Sequence, residues 1–315
     1  MNAVSAMTPL VLGAMYFGTR TDERTSVEIL DRFVDAGGTM IDTSDNYSFW
    51  SDPSGFGGQS EAVIGRWLAA RPGLRERVYL STKVGAQPLS PGGYPDHIEG
   101  LSAATIKDAV QRSLRQLGTD RLDLYWAHVE DRSVPVEETM QAFGSLVADG
   151  VVARVGCSNW PTWRVEHARH AARGWPGFTV LQLMHSYLQP RPSAPVVFQS
   201  QRFGWVTDET LDYATTVGLD IWVYSPLLKG GYVHPDRLTD AYDHVGNTRR
   251  LAVLDEVAAE LEATRNQVVL AWLVGGGVPV TPMVGCSSVA QLEETLAGVE
   301  LTLTADQRAR LDAAA

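Results

Sequence analysis

The sequence predicts one domain over residues 1–315, of the α/β class and built as a (β/α)8 TIM barrel. Three observations carry that prediction. Short apolar runs alternate with longer stretches of helical period, the pattern of repeated βα units around a parallel sheet. Eight such runs can be drawn, and every one after the first closes on a group able to act on a ligand, as a barrel that collects its chemistry at the C-terminal strand ends would require. A length of 315 residues exceeds the usual single core but suits a barrel.

The strands expected are Leu10 to Gly13, Thr39 to Thr43, Val78 to Val84, Leu122 to Val129, Ala153 to Cys157, Phe178 to Met184, Leu219 to Tyr224 and Val278 to Val284. Amphipathic helices are expected over Glu23 to Ala36, Gln59 to Ala70, Ala103 to Leu117, Val136 to Asp149, Pro161 to Arg173 and Asp208 to Val217, with one or two more over Arg249 to Leu273. Ser102 and Asp208 read as N-caps, and Pro135 and Pro161 fit a first helical turn, where a missing N–H costs nothing. Gly37, Gly118, Gly150 and Gly218 sit where a left-handed residue would end a helix. A doubly wound open sheet is the competing architecture, but Gly13-Ala14-Met15-Tyr16-Phe17-Gly18 lacks the GxGxxG spacing that such a fold usually carries after its first strand.

Composition narrows the function classes. With 44% hydrophobic and 20% charged residues the chain has material for a large core. A formal charge of −11 and a pI near 5.1 argue against a nucleic-acid surface, since phosphate backbones need a basic face. Small-molecule partners are favoured instead. Two cysteines, Cys157 and Cys286, are too few for a disulfide framework, so free thiols and a reducing, cytoplasmic compartment are expected. The apolar start from Met1 to Tyr16 lacks the basic leader and cleavage site of a signal peptide. The uncharged stretch from Val268 to Val289 is broken by Gly275, Gly276, Gly277, Pro279 and Pro282, which makes it a buried helix and strand rather than a membrane span. No metal is expected.

The chemistry begins at Asp42 and Tyr47. A carboxylate has already lost its proton at neutral pH and a free phenol, with a pKa of about 10, holds its own tightly, so a cation must assist. Lys83 closes the third strand and supplies it: an ammonium beside the phenol would lower the tyrosine's pKa, while Asp42 keeps that ammonium charged. His128 closes the fourth strand, able to hydrogen-bond a carbonyl oxygen or to share the proton. Singly these residues are unremarkable; a strand-end histidine is often structural, and Lys83 is also readable as a Schiff-base lysine. Their placement at consecutive strand ends is what gives the set its weight. Two long segments, Ser48 to Gly58 and Ser186 to Val206, read as binding loops or as an oligomer contact.

Several motifs resemble the aldo-keto reductase superfamily: Met40-Ile41-Asp42-Thr43-Ser44 followed by Tyr47, Gly58-Gln59-Ser60-Glu61, Ser81-Thr82-Lys83, Leu122-Asp123-Leu124-Tyr125 leading to His128, Gly156-Cys157-Ser158-Asn159 and Tyr224-Ser225-Pro226-Leu227. The resemblance covers almost the whole chain. It implies a nicotinamide cofactor lying across the strand ends and a catalytic tetrad of Asp42, Tyr47, Lys83 and His128. It further implies that Ser158, Asn159 and Gln182 bind the carboxamide and that Tyr224 stacks on the nicotinamide. Ser225, Leu227 and Lys229 would follow the pyrophosphate, and Gly285, Ser287, Ser288, Gln291 and Glu294 the adenosine end. Without the tetrad, Ser158 and Asn159 would read as a helix cap and Tyr224 as a core aromatic.

Two positions depart from the family pattern. Ser288 stands where many members carry a basic residue for the 2′-phosphate, and Thr295 stands where an asparagine is usual. Arg249 and Arg250 are the expected substitutes, so NADP(H) is favoured and NAD(H) stays open. The loop after Tyr47 is longer than usual, which puts Trp50 and Phe56 at the pocket mouth. Few residues follow Leu301, leaving no long C-terminal lid. Specificity is then expected from Trp50, Phe56, Trp126 and the Ser186 to Val206 loop. The expected activity is reduction of an aldehyde, ketone or keto-sugar, or the reverse. The alternatives are a nicotinamide-binding regulatory module and an aldolase built on Lys83. The sequence leaves the oligomeric state open.

Overall fold

In a computed structural model, which describes residues 9–192, 194 and 204–314, eight parallel strands close into a barrel in chain order. They are β1 (Val11–Gly13), β2 (Met40–Asp42), β3 (Tyr79–Val84), β4 (Leu122–Ala127), β5 (Val152–Ser158), β6 (Val180–Met184), β7 (Asp220–Tyr224) and β8 (Thr281–Val284). Closure is made by β1, which pairs with β8 through Val11 opposite Met283 and Leu12 opposite Val284.

The helices are α1 (Glu23–Asp35), α2 (Gln59–Ala69), α3 (Ala103–Leu117), α4 (Val136–Ala148), α5 (Thr162–Ala171), α6 (Asp208–Val217), α7 (Val245–Glu260), α8 (Arg265–Val274), α9 (Val289–Glu300) and α10 (Ala305–Ala313). The expected stretch from Arg249 to Leu273 resolves into α7 and α8, because Thr264 and Gln267 form a capping box that starts a new helix. The helices after β8 were not foreseen. Ser288 caps α9 by accepting from the Gln291 N–H, and Thr304 with Gln307 repeats the capping box at α10.

Capping also corrects three expectations. Thr207, not Asp208, caps α6, its hydroxyl accepting from the Thr210 N–H, while Asp208 is the first helical residue. Pro135 and Pro161 occupy the cap positions just outside α4 and α5. Ser102 caps α3 as expected, and Gly118 and Gly218 are left-handed at the ends of α3 and α6. Among the described residues no helix is long and apolar enough to cross a membrane, and the Val268 to Val289 stretch contributes to α8, β8 and the start of α9.

Strand alternation sorts the side chains into two layers. Val11, Leu124, Trp126, Val180, Trp222 and Met283 form the barrel interior, with Met40 and Tyr79 against them. Ile41, Leu80, Tyr125, Leu181 and Val223 face the helices. The same period sends Asp42, Ser81, Lys83 and Gln182 inward near the tops of β2, β3 and β6.

Candidate active site

Lys83 is the centre of the polar cluster. Its Nζ donates to Asp42 Oδ2, to the Thr43 carbonyl at 2.6 Å and to the Tyr47 hydroxyl oxygen at 2.9 Å. Asp42 Oδ1 accepts from Ser81 Oγ at 2.6 Å and from Trp126 Nε1 at 3.1 Å. Asp42 and Lys83 are wholly buried, and an ion pair out of water persists only when its remaining donors and acceptors are satisfied, as these are. Lys83 has three acceptors and no exposure, which leaves it no route to a substrate carbonyl as an aldolase lysine would need.

Tyr47 stands over this pair. The loop that follows it folds back so closely that a Cβ on Gly57 would fall 2.4 Å from the Asn46 Cα, and the Gly58 N–H donates to the Tyr47 carbonyl. Burial, then the Asp42 charge, push the Tyr47 phenol well above its ordinary value. That direction is the opposite of the one expected from Lys83 alone, because loss of water disfavours phenolate more than one ammonium shared with Asp42 favours it. Tyr47 is therefore a fully protonated acid at neutral pH. Burial also lowers the Lys83 pKa, against the pull of Asp42. His128 packs edge-on to Tyr47 with ring centres 5.8 Å apart, and burial followed by the Lys83 charge drives it well below the usual imidazole range.

Tyr47 and His128 face a cleft of about 850 Å³ that crosses the strand ends. Ser158, Asn159 and Gln182 line it, as do Tyr224, Ser225, Leu227 and Lys229. Gly285, Ser287, Gln291 and Glu294 line it too. The Tyr224 hydroxyl donates to Asn159 Oδ1 at 2.7 Å, and Asn159 Nδ2 donates to Ser158 Oγ at 3.0 Å, which fixes the Asn159 amide. Gln182 Nε2 is buried without a protein partner, an unspent donor in the cleft that suits a carboxamide oxygen. Gln291 Oε1 accepts from the Ser287 N–H and hydroxyl, at 2.8 and 3.0 Å. Glu294 accepts from Thr264 and Asn266.

Other sequence expectations fall elsewhere. Trp126 does not line the cleft; its strand position turns it into the barrel, beneath Asp42 and against Trp222 at 5.3 Å. Ser288 spends its hydroxyl on the α9 cap and is absent from the lining. Arg249 and Arg250 are likewise absent from it, and the Arg250 guanidinium lies over the Tyr187 ring. Trp50 and Phe56 are 39% and 37% exposed and neither lines the cleft; Trp50 packs against Tyr47 and Tyr16, which do. Of the Ser186 to Val206 loop, Pro195, Phe198 and Phe203 lie outside the described residues.

The structure adds lining residues that sequence reasoning missed. Tyr16 and Arg20, with the guanidinium 5.0 Å from the Tyr16 ring centre, come from the loop after β1. The strand-end rule applied to the first strand would have found them. Tyr94, Arg237 and Asn266 come from loops and a helix start with no strand-end signal.

An α/β barrel with its polar groups gathered at the C-terminal strand ends defines the class of barrel enzymes. The model of the Aldo/keto reductase family matches residues 9–315, and the chain belongs to that family. It is 32% identical over 303 residues to the uncharacterized oxidoreductase YrpG of Bacillus subtilis, covering 93% of this chain and 88% of that one. It is 31% identical over 316 residues to the norsolorinic acid reductase stcV of Emericella nidulans, covering 94% and 76%. The aldo-keto reductase str7 of Strobilurus tenacellus is 28% identical over 307 residues, covering 93% and 81%. The protein is an oxidoreductase.

Proposed function

We propose that the protein reduces the carbonyl of an aldehyde, ketone or keto-sugar, or oxidises the corresponding alcohol, with Tyr47 as the proton donor. The observation that carries this reading is the buried Lys83 ammonium bonded at once to Asp42 and to the hydroxyl of Tyr47, which lines the cleft. A bound nicotinamide dinucleotide supplies the hydride. Tyr47 gives its proton to the substrate oxygen as negative charge grows there, and Lys83 stabilises the phenolate left behind. Asp42 holds Lys83 in place, and Trp126 and Ser81 hold Asp42.

Gln182 and Asn159 are the side chains suited to a carboxamide, and Tyr224 to the face of the ring. Arg20, Lys229 and Arg237 put three cations on the lining against one carboxylate, Glu294, in a protein of net charge −11. That local excess suits a polyanion, and it favours NADP(H) over NAD(H) without the help of Arg249 or Arg250. Tyr16, Trp50 and Tyr94 form an aromatic rim, with Phe49 bridging Trp50 and Tyr94 at 4.9 and 5.0 Å, which suits a flat or aromatic substrate. The relatives named for reduction of norsolorinic acid support the same choice.

The test is multiple-turnover assay of aromatic ketones, aldehydes and keto-sugars with NADPH and with NADH, beside fluorescence titration of each dinucleotide. Turnover of at least one carbonyl is expected. Tight dinucleotide binding with no turnover on any of them would overturn the reading in favour of a regulatory module.

A further inference from the structure

Beyond the Asp42–Lys83 pair, three further acids, Asp45, Glu61 and Glu99, come together around the Arg112 guanidinium. Glu99 spends its oxygens on the Gly85 N–H at 2.9 Å and on Arg112 at 2.6 Å. Glu61 takes the Thr82 hydroxyl at 2.6 Å. Asp45 is 2% exposed and lies in hydrogen-bonding contact with the Glu99 carboxyl, yet it lacks donors of its own. Its Oδ2 has no hydrogen-bond partner among the described residues and stands 3.9 Å from Arg112, beyond hydrogen-bond reach. Its Oδ1 has the Ser44 hydroxyl at 3.5 Å, and that hydroxyl lies nearer to Asn46 Oδ1, at 2.8 Å. An ionised carboxylate so placed would be stranded away from water, whereas a protonated one has an acceptor in Glu99.

We propose that Asp45 is an uncharged carboxylic acid at neutral pH, donating its proton to Glu99, and that this bond makes it a positioning residue that ties the loop carrying Tyr47 to the loop carrying Tyr94. The groups that face Asp45 are Glu61 from α2, Lys83 from β3, Arg112 from α3, Tyr125 from β4 and Glu99 itself. Lys83 is committed to Asp42 and Arg112 to Glu99, while the Tyr125 hydroxyl is buried without a partner. Burial, then the Glu99 charge, push the Asp45 carboxyl well above its ordinary value, and Arg112 does not offset them. Gln87 reinforces the tie, its amide donating to the Asp45 carbonyl at 2.8 Å and accepting from the Gly57 N–H at 2.9 Å. The same two loops meet at the rim, where Phe49 packs on Tyr94 at 5.0 Å. The shared proton therefore helps set how far the Tyr94 side of the cleft stands from Tyr47. That consequence for substrate rests on the carbonyl-reductase reading above; the proton itself does not.

Difference infrared spectra of the full chain at neutral pH, wild type minus Asp45→Asn, should show the carbonyl stretch of a protonated carboxylic acid. Its absence overturns the proposal. Glu99→Gln should abolish the band, because the new amide donates where the carboxylate accepted and Asp45 then ionises. A band that survives there takes Glu99 out of the bond and overturns the tie. Stability separates the two charge states by sign. A carboxyl raised in the folded state takes up a proton on folding, so its favourable share is full below about pH 4 and is lost as pH rises. An amide at position 45 donates to Glu99 without that uptake. The urea midpoint of Asp45→Asn relative to wild type should therefore rise from about pH 4 to neutral pH. A relative midpoint that falls over that range, or a variant that fails to fold at neutral pH, would show an ionised Asp45 held by Arg112. Where turnover is measurable, Asp45→Ala should raise the carbonyl KM about tenfold with dinucleotide affinity retained, the low end for a hydrogen bond to a charged group, and Asp45→Asn should recover it. An unmoved KM in Asp45→Ala removes the positioning role. The infrared and urea readings need no turnover, so an enzyme that reduces no carbonyl would defeat the functional reading and leave the shared proton standing.

Discussion

The Lys83 ammonium lies 2.9 Å from the Tyr47 hydroxyl oxygen and 4.5 Å from the centre of the same ring, so the cation supports the phenol both through its oxygen and across its face. Neither contact suffices to ionise Tyr47, whose burial keeps its proton in place. On the proposed mechanism the pair releases that proton only when a stronger base develops against it. Tyr47→Phe removes the proton and little else, since the ring keeps its packing against Trp50 and His128. Turnover should fall by about two orders of magnitude or more, with dinucleotide affinity unchanged, in parallel steady-state and fluorescence titrations. Unchanged turnover would take Tyr47 out of the mechanism.

Lys83→Met leaves Asp42 buried with Ser81 and Trp126 as donors but no countercharge. Removing one partner of a buried pair costs about 3–5 kcal/mol, because the other is stranded away from water. The loss should appear as a lower urea midpoint at unchanged slope. Asp42→Asn combined with Lys83→Met should cost clearly less than the two single changes added together, since no charge is then stranded. Additive costs would show that the two residues do not stabilise each other.

Trp126→Phe separates a pocket residue from a support beneath the pocket. The indole N–H reaches a carboxylate oxygen inside the barrel, and hydrogen bonds to charged groups contribute about 1.5–3 kcal/mol. The variant should lose stability of that order and some turnover, while the KM values for substrates of different size keep their ranking. A reordered substrate preference would return Trp126 to the pocket wall.

Trp126 also shows where the sequence stopped being legible. The strand around it was placed correctly but drawn two residues too long, to Val129 rather than Ala127, and the polar group closing each strand after the first was read from the end of its apolar run, because a barrel fixes where strand ends go. Trp126 sits two residues before His128 and so shares its inward face; what separates them is depth along the strand, Trp126 inside the barrel and His128 just past the strand end, where it lines the cleft. Helix starts were readable where a short polar residue preceded an apolar run, as at Ser102. Ser288 carried the same signal but was read for the cofactor, which hid α9. The cleft-lining cation Arg237 was unreadable because it lies far from any strand end, and such paths depend on tertiary contacts that no local period records. The depressed phenolate expected at Tyr47 failed for a similar reason: charge partners are visible in a sequence, whereas burial is not.

Lys229 gives the cleft a pH dependence. Burial first, then the Arg20 charge, lower its pKa from the ordinary 10.5 to about 8. Below about pH 8 the ammonium is charged. Above it the unliganded protein loses that proton, whereas a bound anion would restore it, so binding must take up a proton. Dinucleotide affinity should therefore be flat from pH 6 to about 7.5 and fall as pH rises through about 8, by up to about tenfold per pH unit, the limit set by uptake of one proton. ADP-ribose, which carries the pyrophosphate without the nicotinamide, should show the same fall. In Lys229→Met the affinity should be weaker at pH 7 and lose this slope. Isothermal titration at several pH values checks both, and a slope that persists in Lys229→Met assigns the titration to a different group.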